Sequence, residues 1–265
     1  MFSIITFPSY LGQRLKSNYN TPMIFLKYIK YNKRISNIEI QKKNLIQNLY
    51  QLYNLNKKII GPKINIGGDH SMAISTIASN LNMYPNLKVI WIDAHPDINT
   101  FQSSSTKNIH GMPLAYLTGL DEFPNINFIT NKLKFQNLLY IGIRDIDPFE
   151  KEIIQKYNIK YIKVNDVNNE LNYTIQKIKN FIKDDYFHVS FDVDSLDPNV
   201  LDSTGTPVEK GLELYQTKHI LDLLYKKNLV GLDIVELNCI LGNEQKSLSN
   251  LSFLFQNYFS DKNKL

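Results

Sequence analysis

Apolar residues along this chain gather in short runs, separated by stretches in which they recur every three or four positions. Runs of β type lie at Ile4 to Phe7, Ile64 to Ile66, Lys88 to Ile92, Leu138 to Ile143, Lys160 to Val164, Phe187 to Phe191 and Val230 to Val235. Between them Leu45, Ile46, Leu49, Leu52 and Tyr53 fall at helical spacing, as do Leu171, Ile175, Ile178 and Ile182. Strands that are apolar on both faces and alternate with amphipathic helices belong to a parallel sheet covered on two sides. The pattern therefore predicts an α/β fold: a three-layer α/β/α domain with a mostly parallel sheet. No internal repeat and no Pro/Gly/Ser-rich linker divides the chain, so residues 1–265 are expected to form a single domain. Two polar stretches, Gln102 to Asn108 and Asp197 to Gly211, read as loops that follow acidic strand ends. Ligands of open α/β sheets bind beyond the carboxyl ends of strands, so substrate is expected there.

Composition narrows the class. Hydrophobic content of 43% and charged content of 21% suit a protein with a substantial core. No apolar run approaches the roughly 18 residues of a membrane span, and Met1 to Pro8 lacks a basic leader and cleavage site, so a cytoplasmic product is expected. Cys239 stands alone, which excludes an internal disulfide and a Cys-rich zinc site. The net charge of +5 comes from lysines scattered among Asn, Ile and Tyr, not from a basic face, so no nucleic-acid partner is expected.

Candidate chemistry begins at Trp91-Ile92-Asp93-Ala94-His95-Pro96-Asp97. If the backbone stays extended, Asp93, His95 and Asp97 line one side, and two carboxylates converge with an imidazole. Such a cluster is either solvated or neutralised by cations. Asp192 and Asp194, in Ser190-Phe191-Asp192-Val193-Asp194, repeat the spacing after another strand; read alone, they could simply cap a turn. Gly67-Gly68-Asp69-His70-Ser71 could cradle a phosphate at a helix N-terminus, but it lacks the Lys-Ser/Thr of a P-loop and the third glycine of a dinucleotide site. His70 is more useful as a metal ligand. The set His70, Asp93, His95, Asp97, Asp192 and Asp194 suits two divalent ions of intermediate hardness, manganese before zinc or magnesium. Paired ions about 3.5 to 4 Å apart lower the pKa of water to near neutrality, which is hydrolase chemistry.

Gly-Gly-Asp-His-Ser, Asp-Ala-His-x-Asp, His-Gly-Met-Pro, Ser-Phe-Asp-Val-Asp-x-Leu-Asp-Pro and Asp-x-Val-Glu, in this order from about Ile64 to Asn238, resemble the motifs of the ureohydrolase family, and its arginases most closely. The resemblance implies a three-layer parallel sheet, two Mn2+ ions and hydrolysis of the guanidinium group of L-arginine to L-ornithine and urea by a metal-bridging hydroxide. It implies that His70, Asp93, Asp97 and Asp192 hold one ion and His95, Asp93, Asp192 and Asp194 the other, with Asp97 able to take the proton of the hydroxide. His110 resembles the proton-shuttling histidine, and Glu236 the carboxylate that pairs with the guanidinium. Asn99, Thr106 and Asp147 match residues that read the amino-acid end of the substrate, and Thr206 one near the guanidinium; by sequence alone each is an ordinary turn or cap residue. A homo-oligomer, trimer or hexamer, is also implied.

Agmatine or another guanidino or formimino compound is the neighbouring substrate alternative, and a catalytically silent binding relative is the alternative of a different class. The chain departs from the family pattern at several places. Thr106 replaces a usual serine, Glu209-Lys210 a usual Val-Gly, and Cys239 a usual proline. Gly12-Gln13 is present, but the Gly-rich pattern expected next is replaced by Asn18 to Met23. Glu209 is expected to perturb cation binding.

Overall fold

The computed structural model describes residues 2–15, 20–33, 35–41 and 44–260. The strands are β1 (Ser3–Phe7), β2 (Ile35–Asn37), β3 (Lys63–Gly67), β4 (Lys88–Ile92), β5 (Leu138–Ile141), β6 (Lys160–Ile162), β7 (Phe187–Asp192) and β8 (Leu229–Val235). The helices are α1 (Thr21–Tyr28), α2 (Leu45–Lys58), α3 (Ala73–Met83), α4 (Pro113–Thr118), α5 (Pro148–Lys156), α6 (Val164–Asn169), α7 (Leu171–Ile182), α8 (Leu214–Leu224), α9 (Glu244–Leu254) and α10 (Gln256–Phe259). The strands form one sheet in the order β2-β1-β3-β8-β7-β4-β5-β6, and every pair is parallel. The expected α/β fold with helices on both faces is what the chain adopts. No helix among the described residues is long and apolar enough to cross a membrane.

All seven apolar runs become strands. The eighth strand, β2, is three residues of Ile35-Ser36-Asn37, too short to show a period, and only its pairing with β1 makes it a strand. The Leu138 to Ile143 run stops early because Gly142 turns out of the strand at φ +93°. Alternate residues of β4 enter two separate cores. Ile90 and Ile92 of β4 pack with α7 through α9, whereas Val89 and Trp91 pack with α2 through α5. Burial of each such side chain contributes about 2 kcal/mol, which makes the sheet a rigid base for whatever its ends carry.

The β7 run is not apolar on both faces. His188 and Ser190 alternate with Val189 and Phe191 and face α3 across a buried polar seam. Asp233 of β8 lies at its centre. It accepts from Asn65 Nδ2 (2.8 Å) and Thr76 Oγ1 (2.6 Å), and His188 Nε2 lies 2.9 Å away. Asn80 Nδ2 lies 2.9 Å from His188 Nδ1. Gly231 faces His188 in register, and any Cβ there would collide with the imidazole and with Asn80.

β3 and β4 are consecutive in the chain but stand apart in the sheet, with β8 and β7 between them. That reversal of strand order opens a crevice at the carboxyl ends of the four central strands, the usual ligand position in such sheets. His70 follows β3, Asp93 follows β4, Asp192 ends β7 and Glu236 follows β8.

Asp233 should be a structural anchor. Asp233→Ala strands three polar partners in a dry interior and is expected to lower the unfolding free energy by about 3 kcal/mol, read from urea denaturation. A loss below about 0.5 kcal/mol would show that the seam does not hold β8 to α3.

Candidate metal centre and active site

The chain leaves β4 at Ile92, and the extended backbone expected through Asp97 is not kept. Asp93 N donates to Ile141 O (3.1 Å), and Ala94 O accepts from both Arg144 N and Asp145 N. Asp97 has φ +49°, in the left-handed region. A turn, not strand alternation, therefore brings Asp93, His95 and Asp97 together. The second motif shows the same difference. Asp192 ends β7, but Asp194 sits in the single helical turn Val193–Ser195, and its N donates to Asp192 Oδ1 at 2.8 Å. His70 lies in the turn His70–Met72 at the start of α3, capped by Asp69. Gly68 lets that turn pass against the backbone of Ser9, where a Cβ would clash.

His70 Nδ1 is the hub. It lies 3.1 Å from Asp93 Oδ2, 3.2 Å from Asp97 Oδ2 and 3.1 Å from Asp192 Oδ2. This nitrogen is buried, and none of the three oxygens stands in hydrogen-bonding geometry to it. Adjacent donors around a divalent ion with bonds of about 2.2 Å stand about 3.1 Å apart, so this spacing fits ligands sharing an ion. His95 Nδ1 lies 3.2 Å from Asp194 Oδ2 and 3.5 Å from Asp93 Oδ1. Among the described residues two groups could each hold a metal ion, His70-Asp93-Asp97 and Asp93-His95-Asp194, and Asp93 belongs to both.

The electrostatics call for positive charge. Burial and the neighbouring charges of Asp194 and Asp93 push the Asp192 carboxyl well up, and burial with Asp93 raises Asp194. Burial, reinforced by Asp93, raises Asp97 to about 6. Burial also resists charging of His70 and His95, yet the surrounding carboxylates raise both. The field that holds a proton on these imidazoles favours a cation of any kind at the same place.

Supporting contacts fix the donors. His70 Nε2 lies 2.8 Å from Ser190 Oγ, and its ring stacks on Trp91 at a centroid distance of 4.0 Å. Trp91 Nε1 donates to Asp93 Oδ2 at 2.9 Å. The Arg144 guanidinium donates to the carbonyls of Gly142, Asp194, Ser195, Leu196, Val208 and Glu209, tying the Asp194 turn to the loop beyond it. Sequence reading missed Ser190, Trp91 and Arg144 in these roles. Their only signal was adjacency to the motifs.

Above the donors lies a cavity of about 160 Å3. Ten of the twelve site residues expected from the sequence line it, and the other two, His70 and Asp93, are fully buried. Glu236 has φ +63° and is almost wholly buried. Its Oε1 accepts from His70 N (2.8 Å) and lies 2.9 Å from His110 Nδ1; its Oε2 accepts from Gln13 Nε2 (2.8 Å). Burial opposes charge on His110, but the Glu236 carboxylate raises its pKa to about 9.

Farther out, Asn99 Nδ2 donates to Asp147 Oδ2 at 2.8 Å, and Thr206 Oγ1 donates to Asp194 Oδ2 at 2.9 Å. Thr106 Oγ1 accepts from Asn108 N at 3.2 Å. Asp147 also caps α5 in a reciprocal arrangement with Glu150, whose other oxygen accepts from Ile98 N. Glu150 lines the cavity and was not singled out from the sequence. Glu209 is exposed and does not line the cavity, and Cys239 is buried beside Thr21, so neither departure enters the site. Of the Asn18 to Met23 departure, Asn18 and Tyr19 lie outside the described residues.

Comparison with known proteins bears on this arrangement. The chain is 38% identical over 194 residues to arginase-1 of Sus scrofa, a match covering 69% of this chain and 60% of the relative. It therefore spans less than two thirds of the length of that protein. Among solved structures, it superposes on the arginase of Entamoeba histolytica in complex with L-ornithine with a TM-score of 0.89, at 29% identity, over 98% of both chains. The arginase of Bacillus subtilis gives a TM-score of 0.88 at 28% identity, over 99% of both. The arginase family model matches residues 17–257. The protein belongs to the arginase family.

Proposed function

We propose that this chain is a binuclear manganese-dependent hydrolase that cleaves the guanidinium group of L-arginine to give L-ornithine and urea. The observation that carries the reading is the sharing of Asp93 between two ligand groups, directly beneath a cavity walled by Glu236 and His110. His70, Asp93, Asp97 and Asp192 would hold one ion, and His95, Asp93, Asp192 and Asp194 the other. Two imidazoles and four carboxylates favour manganese over softer or harder ions. Bound there, the pair would lower the pKa of water toward neutrality and so supply the hydroxide that hydrolysis of a guanidinium requires.

The remaining work falls to side chains. Glu236 offers a carboxylate to a planar cation whose forked N–H donors suit it. His110 is held protonated beside it at neutral pH, which lets it supply a proton to the departing amine. Asp97, whose carboxylate lines the same cavity, would take up the proton released there. At the outer end, Asp147 would receive an α-ammonium group, and Asn99 and Thr106 the α-carboxylate. The structure of the Entamoeba histolytica relative, solved with L-ornithine, supports an amino acid as ligand.

Urea release from L-arginine, agmatine and 4-guanidinobutyrate tests the substrate. Arginine is expected to exceed both by at least about tenfold in kcat/KM, since each of the others lacks one of the two charged groups that Asp147, Asn99 and Thr106 would engage. A preference for agmatine would contradict the assignment. The metal ligands are tested through Trp91, the single tryptophan, which touches both His70 and Asp93. Manganese is expected to change its emission saturably. Asp192→Ala should abolish that response and lower turnover by about a thousandfold or more while the metal-free chain still folds. Unimpaired turnover would remove Asp192 from the centre.

A further inference from the structure

Glu236 is held by more than its chemistry alone requires. Its Oε1 is engaged by His70 N and His110 Nδ1, whereas Oε2 has one partner, Gln13 Nε2, at 2.8 Å. The terminal torsion of a glutamate is broad, and Gln13 Nε2 is the donor that holds it from the Oε2 side while His70 N and His110 Nδ1 hold Oε1. The other end of the Gln13 carboxamide explains little by itself. Its Oε1 is buried and meets no donor among the described residues. An orphaned acceptor is a cost, which leaves the bond to Glu236 as the favourable polar contact of the carboxamide among the described residues.

The backbone that carries Gln13 is clamped from both sides. Gly12 N donates to Asp69 Oδ2 at 2.7 Å, and Gly12 O accepts from His110 N at 3.1 Å. A side chain at Gly12 would press on Asp69 and Ser71, with its Cβ 2.7 Å from Asp69 Oδ1. Asp69 in turn caps the turn bearing His70. A closed ring of contacts thus runs from Asp69 through Gly12, Gln13 and Glu236 back to the His70 backbone.

We infer that Gln13 is a positioning residue for the cationic end of the substrate, acting through Glu236 by fixing the carboxylate that meets the guanidinium. This rests on the guanidinium reading given above. Its effect belongs to recognition of the cation and not to metal binding or to the amino-acid end of the ligand.

The test uses the manganese-loaded chain and two variants, Gln13→Met, which keeps length without a donor, and Gln13→Ala. Both are expected to raise KM for arginine about tenfold with kcat changed less than about threefold, as for loss of one charge-assisted hydrogen bond. Binding of guanidinium ion, measured by calorimetry, should weaken by a similar factor. Binding of L-norvaline, which keeps the amino-acid end and lacks the guanidinium, should not change, nor should manganese content. Equal weakening of guanidinium and norvaline, lost manganese or an unchanged KM would overturn the inference. A wild-type chain that hydrolyses no guanidino compound would instead overturn the functional reading, while its affinity for guanidinium ion against that of the variants would still decide the role of Gln13.

Discussion

Four carboxylates and two imidazoles share one mostly dry volume at the carboxyl ends of the central strands, and their mutual repulsion and desolvation constrain everything around them. Isolated carboxylates in such a place would take up protons or force the site open. Here the donors are held at fixed edges of about 3.1 Å to His70 Nδ1. Holding them there takes the stacking of His70 on Trp91, the Trp91 bond to Asp93 and the six carbonyls gathered by Arg144. The backbone bears part of the strain, because Asp97 is a non-glycine residue in the left-handed region.

Glu236 extends that constraint to the cavity wall. It too adopts a left-handed backbone, and its donors come from three separate segments, those of Gln13, His70 and His110. The carboxylate that would meet a cationic substrate is thereby tied through backbone and side chain to the turn that bears His70. Binding and chemistry share one rigid frame, which rests on the buried seam around Asp233.

Much of this was legible in the sequence, and the reasons for the rest are local. Apolar runs located seven strands because burial on the sheet imposes apolar side chains; β2 was invisible because three residues carry no period. The six donors and Glu236 could be named from motifs, and the structure brings them together. How they converge could not be read. Strand alternation offered a simple geometry for Asp93, His95 and Asp97, but the chain turns at Asp93, and positive φ at Asp97 leaves no compositional mark. The contacts of Arg144 and Gln13 were unreadable for another reason, although Gly12-Gln13 was noted as matching the family: each acts on atoms distant in sequence, Gln13 across 223 positions to Glu236. Glu209 shows the converse, since a charge close to the site motifs in sequence is exposed and does not line the cavity.

The central claim is that this acid cluster is a binuclear manganese site. Anomalous diffraction at the manganese edge from crystals grown with the ion tests it most directly. Two peaks are expected, one against His70 and Asp97, the other against His95 and Asp194, with Asp93 between them. A single peak, or manganese bound only elsewhere on the chain, would contradict the account.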